Sequence, residues 1–342
     1  MNIVFHAPRR GETVSLYTDT QRIFRSEEER RAKLDGALTF KWYALDDTGI
    51  ERSRPEPVTF RFEDIEEDAK DEGYLLLADI YEDMRAPVFA VAQGGEAVLY
   101  NLMAGKTYYF CIQKDGVRSP VSYFHTALDL PRCVKIDGIS NVRDFGGYSV
   151  EDGRIRQGLL YRGSEFERHS HPTKEGIGDV RALGLRTDLD LRGEARDTVI
   201  HPTSRLLGMD YILLPTVPYA ALFDKKHRKN TKKFFTLLTK KSAYPIYFHC
   251  WGGADRTGSL AFLLGAFLGM KKEDLIYEYE FTSLSRWGTR SRNHPPFMDF
   301  VAAFEEFPGQ SYAQKATFFL RELLGLSEKQ CEKIKNIFIE KF

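Results

Sequence analysis

A short apolar run, Pro245-Ile246-Tyr247-Phe248-His249, delivers a cysteine, Cys250, into a loop holding Gly252 and Gly253. From Thr257 to Leu268 the chain is then apolar on every helical face. That order predicts a strand, a tight loop and a helix. A helix with no polar face can lie only inside a domain, so the rest of the fold must be layered around it. The loop carries a thiol at its entrance and the Arg256 guanidinium at its exit.

Those residue types suit phosphate chemistry. Amides of Trp251, Gly252, Gly253, Ala254, Asp255 and Arg256 can turn toward one anion, and the glycines permit the backbone angles this needs. Arg256 offers a planar fork for two phosphate oxygens. A helix N-terminus and a nearby arginine lower a cysteine pKa, making Cys250 a candidate nucleophile. Thr257 places a hydroxyl where it can donate to the thiolate, and His249 is expected to orient the loop.

The remainder divides by texture. To about residue 128 the pattern is mostly β. Ala37–Tyr43, Val58–Phe62, Tyr74–Ala78 and a hairpin from Thr107 to Thr126 turning at Asp115-Gly116 predict short strands of a β-sandwich. Leu128–Arg132 reads as a linker. From about 133 strands and helices alternate, which predicts a mainly parallel sheet covered by helices, with chemistry at the carboxyl end of a central strand. Ser327 and Gln330 predict a capping box for the last helix. The expected fold is therefore multidomain, with a β-sandwich over 1–128 and an α/β domain over 129–342.

The 342 residues carry 49 basic and 49 acidic side chains, so the balanced charge argues against a nucleic-acid binder. No apolar run reaches the length of a membrane span. The opening residues lack a signal-peptide stretch, which points to the cytoplasm, although a secreted chain whose leader had been removed would look the same. Cys111, Cys133, Cys250 and Cys331 lie far apart with no metal-ligand spacing, and His169, His171, His201 and His294 are scattered, so neither a metal nor an organic cofactor is expected.

The segment His249–Gly258 resembles the HCx5R(S/T)G signature of the cysteine-dependent protein tyrosine phosphatase superfamily. More narrowly, residues 133–342 are similar to atypical bacterial tyrosine/lipid phosphatases. The resemblance rests on Asn141-Val142-Arg143-Asp144-Phe145-Gly146-Gly147-Tyr148, Leu160-Tyr161-Arg162-Gly163-Ser164, Asp190-Leu191-Arg192 and the Cys250 loop, in the family's order. The N-terminal part looks like a fibronectin type III-like module by pattern. The resemblance implies that Asp255 is the general acid, with Asp224 as rival. Burial beside the leaving oxygen would raise its pKa. The relatives place lysine where this chain has Ala254, which takes one positive charge from the pocket. The run Lys225–Lys229 with Lys232 and Lys233, or Arg286, Arg290 and Arg292, could compensate. Arg143 with Asp144, and Asp190 with Arg192, are expected as supporting pairs near the loop.

The implied activity is phosphate monoester hydrolysis through a phosphocysteine. The partner would be a phosphorylated protein, small molecule or lipid. Sulfur transfer, a non-catalytic phosphate-recognising module and an inositol-phosphate phosphatase are the alternatives. The N-terminal domain would bind a protein or glycan, or pack on the catalytic domain.

Overall fold

The computed structural model describes residues 1–35, 45–46, 48–65, 73–193 and 202–341. The expected strand Ala37–Tyr43 and His201 lie outside them. The chain forms two compact units, one of Met1–Thr18 with Pro55–Arg132, the other of Asp19–Arg54 with Cys133–Phe342. The boundary therefore differs from a single cut near 128, because an early segment packs with the later part of the chain.

The first unit has two sheets. Strands Ile3–Ala7, Val58–Asp64 and Glu96–Leu99 form one. Thr13–Val14, Ser122–Thr126, Thr107–Lys114, Leu75–Asp79 and Val88–Val91 form the other. Rings from the two sheets meet edge to face, with Phe60 5.1 Å from Phe110 and 5.5 Å from Phe124, and Phe5 4.7 Å from Phe110. At the expected hairpin both Asp115 and Gly116 have positive φ, as a two-residue hairpin turn requires. Cys111 is a buried packing residue there.

In the second unit, strands Leu160–Gly163, Ile246–His249, Thr187–Asp190 and Asp210–Leu213 pair in parallel in that spatial order, and Arg143–Asp144 joins antiparallel beside Leu160–Gly163. The register sets Gly163, His249 and Asp190 level with one another at the carboxyl ends. The helix Asp255–Leu268 is buried continuously from Thr257 to Leu268, as its uniform apolarity requires. The last helix, Glu328–Phe338, begins with the Ser327–Gln330 capping box. The strand Asp210–Leu213 closes the parallel set, with its side chains half-buried or exposed.

The Asp19–Arg54 segment is tied in by polar contacts. Arg30 donates to Glu280 at 2.8 Å, and the buried Gln21 amide donates to the carbonyls of Arg52 and Arg54. Glu51 accepts from the Ser140 hydroxyl at 2.8 Å and from the Arg286 amide at 3.2 Å. Within this segment Glu27–Asp35 form a helix with Glu27, Glu28 and Glu29 in its first turn.

Candidate active site

Four successive carbonyls define the loop. The Trp251 carbonyl accepts from the Glu165 amide at 3.1 Å, and that of Gly252 from the Asn141 side-chain amide at 2.8 Å. The carbonyls of Gly253 and Ala254 both accept from Arg162. In a trans peptide the N–H points opposite to the carbonyl. Holding carbonyls 251–254 from outside therefore aims the amides of residues 252–255 into the loop. Ala254 is the N-cap of the following helix and brings no side-chain acceptor, so first-turn amides remain for an external anion.

Close packing makes both loop glycines obligatory. Gly253 has φ +65°, and a Cβ there would lie 2.2 Å from the Gly163 carbonyl oxygen. At Gly252 a Cβ would lie 2.4 Å from the Trp287 ring.

Cys250 is buried at the loop entrance. Burial alone would raise its pKa. The Arg256 charge, then the hydroxyl and the backbone amide of Thr257, outweigh that and hold the thiol below its ordinary range. The Thr257 hydroxyl is buried with no other partner, so its donor is kept for the sulfur. Arg256 lines the pocket and makes no ion pair among the described residues, which leaves its fork available to an incoming anion.

His249 lies directly behind, fully buried. Its Nε2 is 2.9 Å from Asp188 Oδ1 and its Nδ1 is 3.0 Å from the Cys250 carbonyl oxygen. Both partners are acceptors, so both ring nitrogens must donate and the ring is an imidazolium. Burial pulls the pKa down, but Asp188 and Asp190 overcome it and raise the value to about 9. The ring thus anchors the backbone of Cys250.

Arg143 and Asp144 do not pair with each other. Arg143 Nε donates to Glu278 Oε1 at 2.6 Å, whereas Asp144 accepts the Gly146 and Gly158 amides at 2.8 and 2.6 Å. Glu278 also pairs with Arg162, so one buried carboxylate bridges two buried guanidiniums. Burial, with Arg143 next in weight, lowers the Arg162 pKa to about 10, which leaves it a cation. Asp190 and Arg192 do pair, at 2.8 to 3.1 Å, but both are buried behind the loop. The Arg192 guanidinium lies 4.8 Å from the centre of the Trp251 ring, supporting the loop from behind.

Asp255 departs from the expected raised acid. Arg290 grips it bidentately at 2.7 and 2.8 Å, and the Tyr219 hydroxyl donates to it as well. Burial pushes its pKa up, but these contacts prevail and hold it below the usual carboxylate range. The resting group is therefore a carboxylate. The rival Asp224 is half exposed, 3.9 Å from Lys226, and is not part of the pocket lining.

The pocket above the thiol has a volume of about 730 Å³. Its walls are Gly193, Pro215–Pro218, His227, Asn230, Trp287 and Arg290 around the loop residues Cys250–Gly252 and Ala254–Arg256. Of the two basic groups offered as compensation for Ala254, only Arg290 and His227 reach this lining, and Arg290 is occupied by Asp255. Arg292 pairs with Glu280 and Glu27, and Arg286 bonds the His169 carbonyl and Ser170.

Sequence reading missed Asn141, Arg162, Asp188, Tyr219, Glu278 and Trp287 as site residues. Asn141 and Arg162 stand inside the quoted segments, so the signal for them was present. Glu278 is far from any motif and becomes legible only once Arg143 and Arg162 are brought together. No group of three or more histidine, cysteine or acidic side chains among the described residues is arranged to hold a metal ion. Nor is any described helix long and apolar enough to cross a membrane.

A buried thiol of lowered pKa, a ring of amides and an arginine with no ion pair among the described residues together form an arrangement suited to holding a phosphate group. Residues 134–340, more than half of the chain, match the tyrosine phosphatase family model, and the chain belongs to that family. It is 29% identical over 169 residues to a Cupriavidus necator protein provisionally named a tyrosine-protein phosphatase. That match spans 42% of this chain and 60% of the relative. Two solved structures of the SIW14 catalytic core are also similar. One, the Saccharomyces cerevisiae PP-IP phosphatase core in complex with citrate, has 16% identity and a TM-score of 0.34, covering 51% of this chain and 91% of that one. The other has 14% identity and a TM-score of 0.34, covering 56% and 95%.

Proposed function

We propose that the chain is a cysteine-dependent phosphatase acting on aryl phosphate monoesters, with protein phosphotyrosine as its substrate class. The observation that carries this is the unpaired Arg256 beside a buried thiol of lowered pKa, under amides aimed by four externally held carbonyls. The Cys250 thiolate attacks phosphorus, an S–P bond forms, and the P–O bond to the leaving group breaks. Loop amides and Arg256 hold the three phosphoryl oxygens through the transfer. Asp255 gives a proton to the leaving oxygen, then as carboxylate takes one from the water that attacks phosphorus. The S–P bond breaks, and Thr257 donates to the departing thiolate.

Trp251, Trp287, Pro215 and Pro218 give the pocket flat walls suited to an aromatic ring. With alanine at 254 and Arg290 occupied, the lining offers few spare cations for a second phosphate. Metal-free phosphate release tests the reading. The panel holds an aryl phosphate, phosphotyrosine and phosphoserine peptides, phosphoinositides and inositol phosphates. Phosphotyrosine and aryl phosphate should lead by about tenfold or more in kcat/KM, since the leaving group and the flat walls both favour them. Preference for an inositol phosphate would instead require Arg290 to leave Asp255 for the ligand.

Asp255 sets the pH dependence. Its folded pKa is depressed, so its acid form grows only as pH falls, whereas the Cys250 thiolate is lost as pH falls. The profile of kcat/KM should be bell-shaped, with its maximum on the acid side of neutrality. Asp255→Asn should remove the descending limb on the alkaline side and slow phosphoserine turnover by about 10²-fold or more. An unchanged alkaline limb in that variant would assign the acid to another group.

The aromatic layer between its two sheets supports reading the first unit as a β-sandwich module.

A further inference from the structure

From Lys225 to Cys250 the chain contains eight lysines and arginines and no acidic residue, in a protein whose total charge is balanced. The helix Arg228–Leu237 buries Thr231, Phe234, Phe235 and Leu237. Its other face presents Lys229, Lys232 and Lys233 at spacings of three and four, followed by Lys240. These like charges repel one another. Lys229, Lys233 and Lys240 meet no carboxylate among the described residues, and Lys232 donates only to the Gly325 carbonyl. The four lysines border a groove of about 450 Å³, into which Ile212 and Leu213 of the neighbouring strand also face. Leu213 is 40% exposed beside the four ammonium groups.

The groove and the catalytic pocket are lined by adjacent residues of the same segments, Leu214 and Lys229 in the groove and Pro215 and Asn230 in the pocket. His227 and Asn230 line the pocket, and Asn230 bonds the Pro215 carbonyl at 2.7 Å, fastening the helix to the loop that continues the strand. A chain lying in the groove therefore borders residues that are next in sequence to the pocket wall. We infer that this groove docks an acidic segment, carrying at least one apolar side chain, that flanks the phosphorylated residue of a protein substrate. The inference rests on the phosphatase reading for its substrate, but its binding can be measured apart from turnover. Charge complementarity supplies attraction and faster encounter, and the apolar floor supplies burial. A concave floor suits a peptide better than a flat bilayer.

The test uses the full chain and Lys229→Glu/Lys233→Glu, both exposed positions outside the pocket lining. Fluorescence anisotropy would follow a labelled unphosphorylated peptide with alternating glutamate and leucine, and its alanine-for-glutamate counterpart. Wild type should bind the acidic peptide about tenfold more tightly at low salt, with the preference shrinking as salt rises. The double variant should lose that preference while hydrolysing aryl phosphate at the wild-type rate. Equal binding of the two peptides by wild type overturns the inference. So does a double variant that keeps the preference but loses sedimentation with phosphatidylserine vesicles, which would make the face a membrane surface. Failure of wild type on every phosphate ester sinks the phosphatase reading alone and leaves the peptide result to be judged by itself.

Discussion

Cys250→Ser is expected to lower phosphate release by about 10⁴-fold or more, because a serine hydroxyl at this position stays protonated where the thiol does not. The features that lower the thiol pKa, Arg256 and Thr257, stabilise an anion that serine does not form at working pH. The phosphate cradle should survive. Carbonyls 251–254 are held by Asn141, Arg162 and the Glu165 amide, none of which depends on the sulfur. The variant should therefore still bind an aryl phosphate with a Kd near the wild-type KM, and equilibrium binding beside a turnover assay checks both halves. Retention of turnover within tenfold of wild type would exclude a phosphocysteine.

Glu278→Ala should be the most damaging change outside the loop. Glu278 is 4% exposed and pairs with both Arg143 and Arg162, themselves fully buried. Removing it leaves two buried like charges with no counter-charge, which costs about 3–5 kcal/mol in comparable sites. Against a typical total of about 5–15 kcal/mol that is a large share. Thermal unfolding should show it directly. Protein that remains folded should also have a less nucleophilic Cys250, because Arg162 would no longer be held against the carbonyls of Gly253 and Ala254. The pH dependence of thiol alkylation should then move upward. Glu278→Gln, which keeps the shape but not the charge, should fall between. A thiol profile identical to wild type in folded Glu278→Gln would show that the carboxylate charge does not set the loop.

Much of the catalytic unit is legible along the chain because its signals are local. The helix to Leu268 announces itself by having no polar face. The Ser327–Gln330 box and the Asp115-Gly116 turn are decided within four residues. Cys250, Arg256 and Thr257 are readable for the same reason, since strand, loop and helix start place them around one point. Asp190 and Arg192 show the limit. Their place at a strand end was readable, but not that burial and Tyr211 turn them away from the pocket into a support behind Trp251. Asp255 shows it more sharply. Its position in the loop was clear, yet its pKa direction depends on Arg290, 35 residues away.

The sequence by itself determined the order of thiol, glycine loop and arginine between a strand and a helix, and the layered α/β surroundings that a helix apolar from Leu260 to Leu268 demands. Tertiary structure decided which carboxylates are charged and what each one holds. It joined Glu278 to Arg143 and Arg162, Asp188 to His249, and Arg290 to Asp255, and it returned residues 19–54 to the catalytic unit. Periodicity and turn chemistry act over a few residues. Desolvation and ion pairing depend on distances in space, between groups that can stand more than a hundred positions apart in the chain.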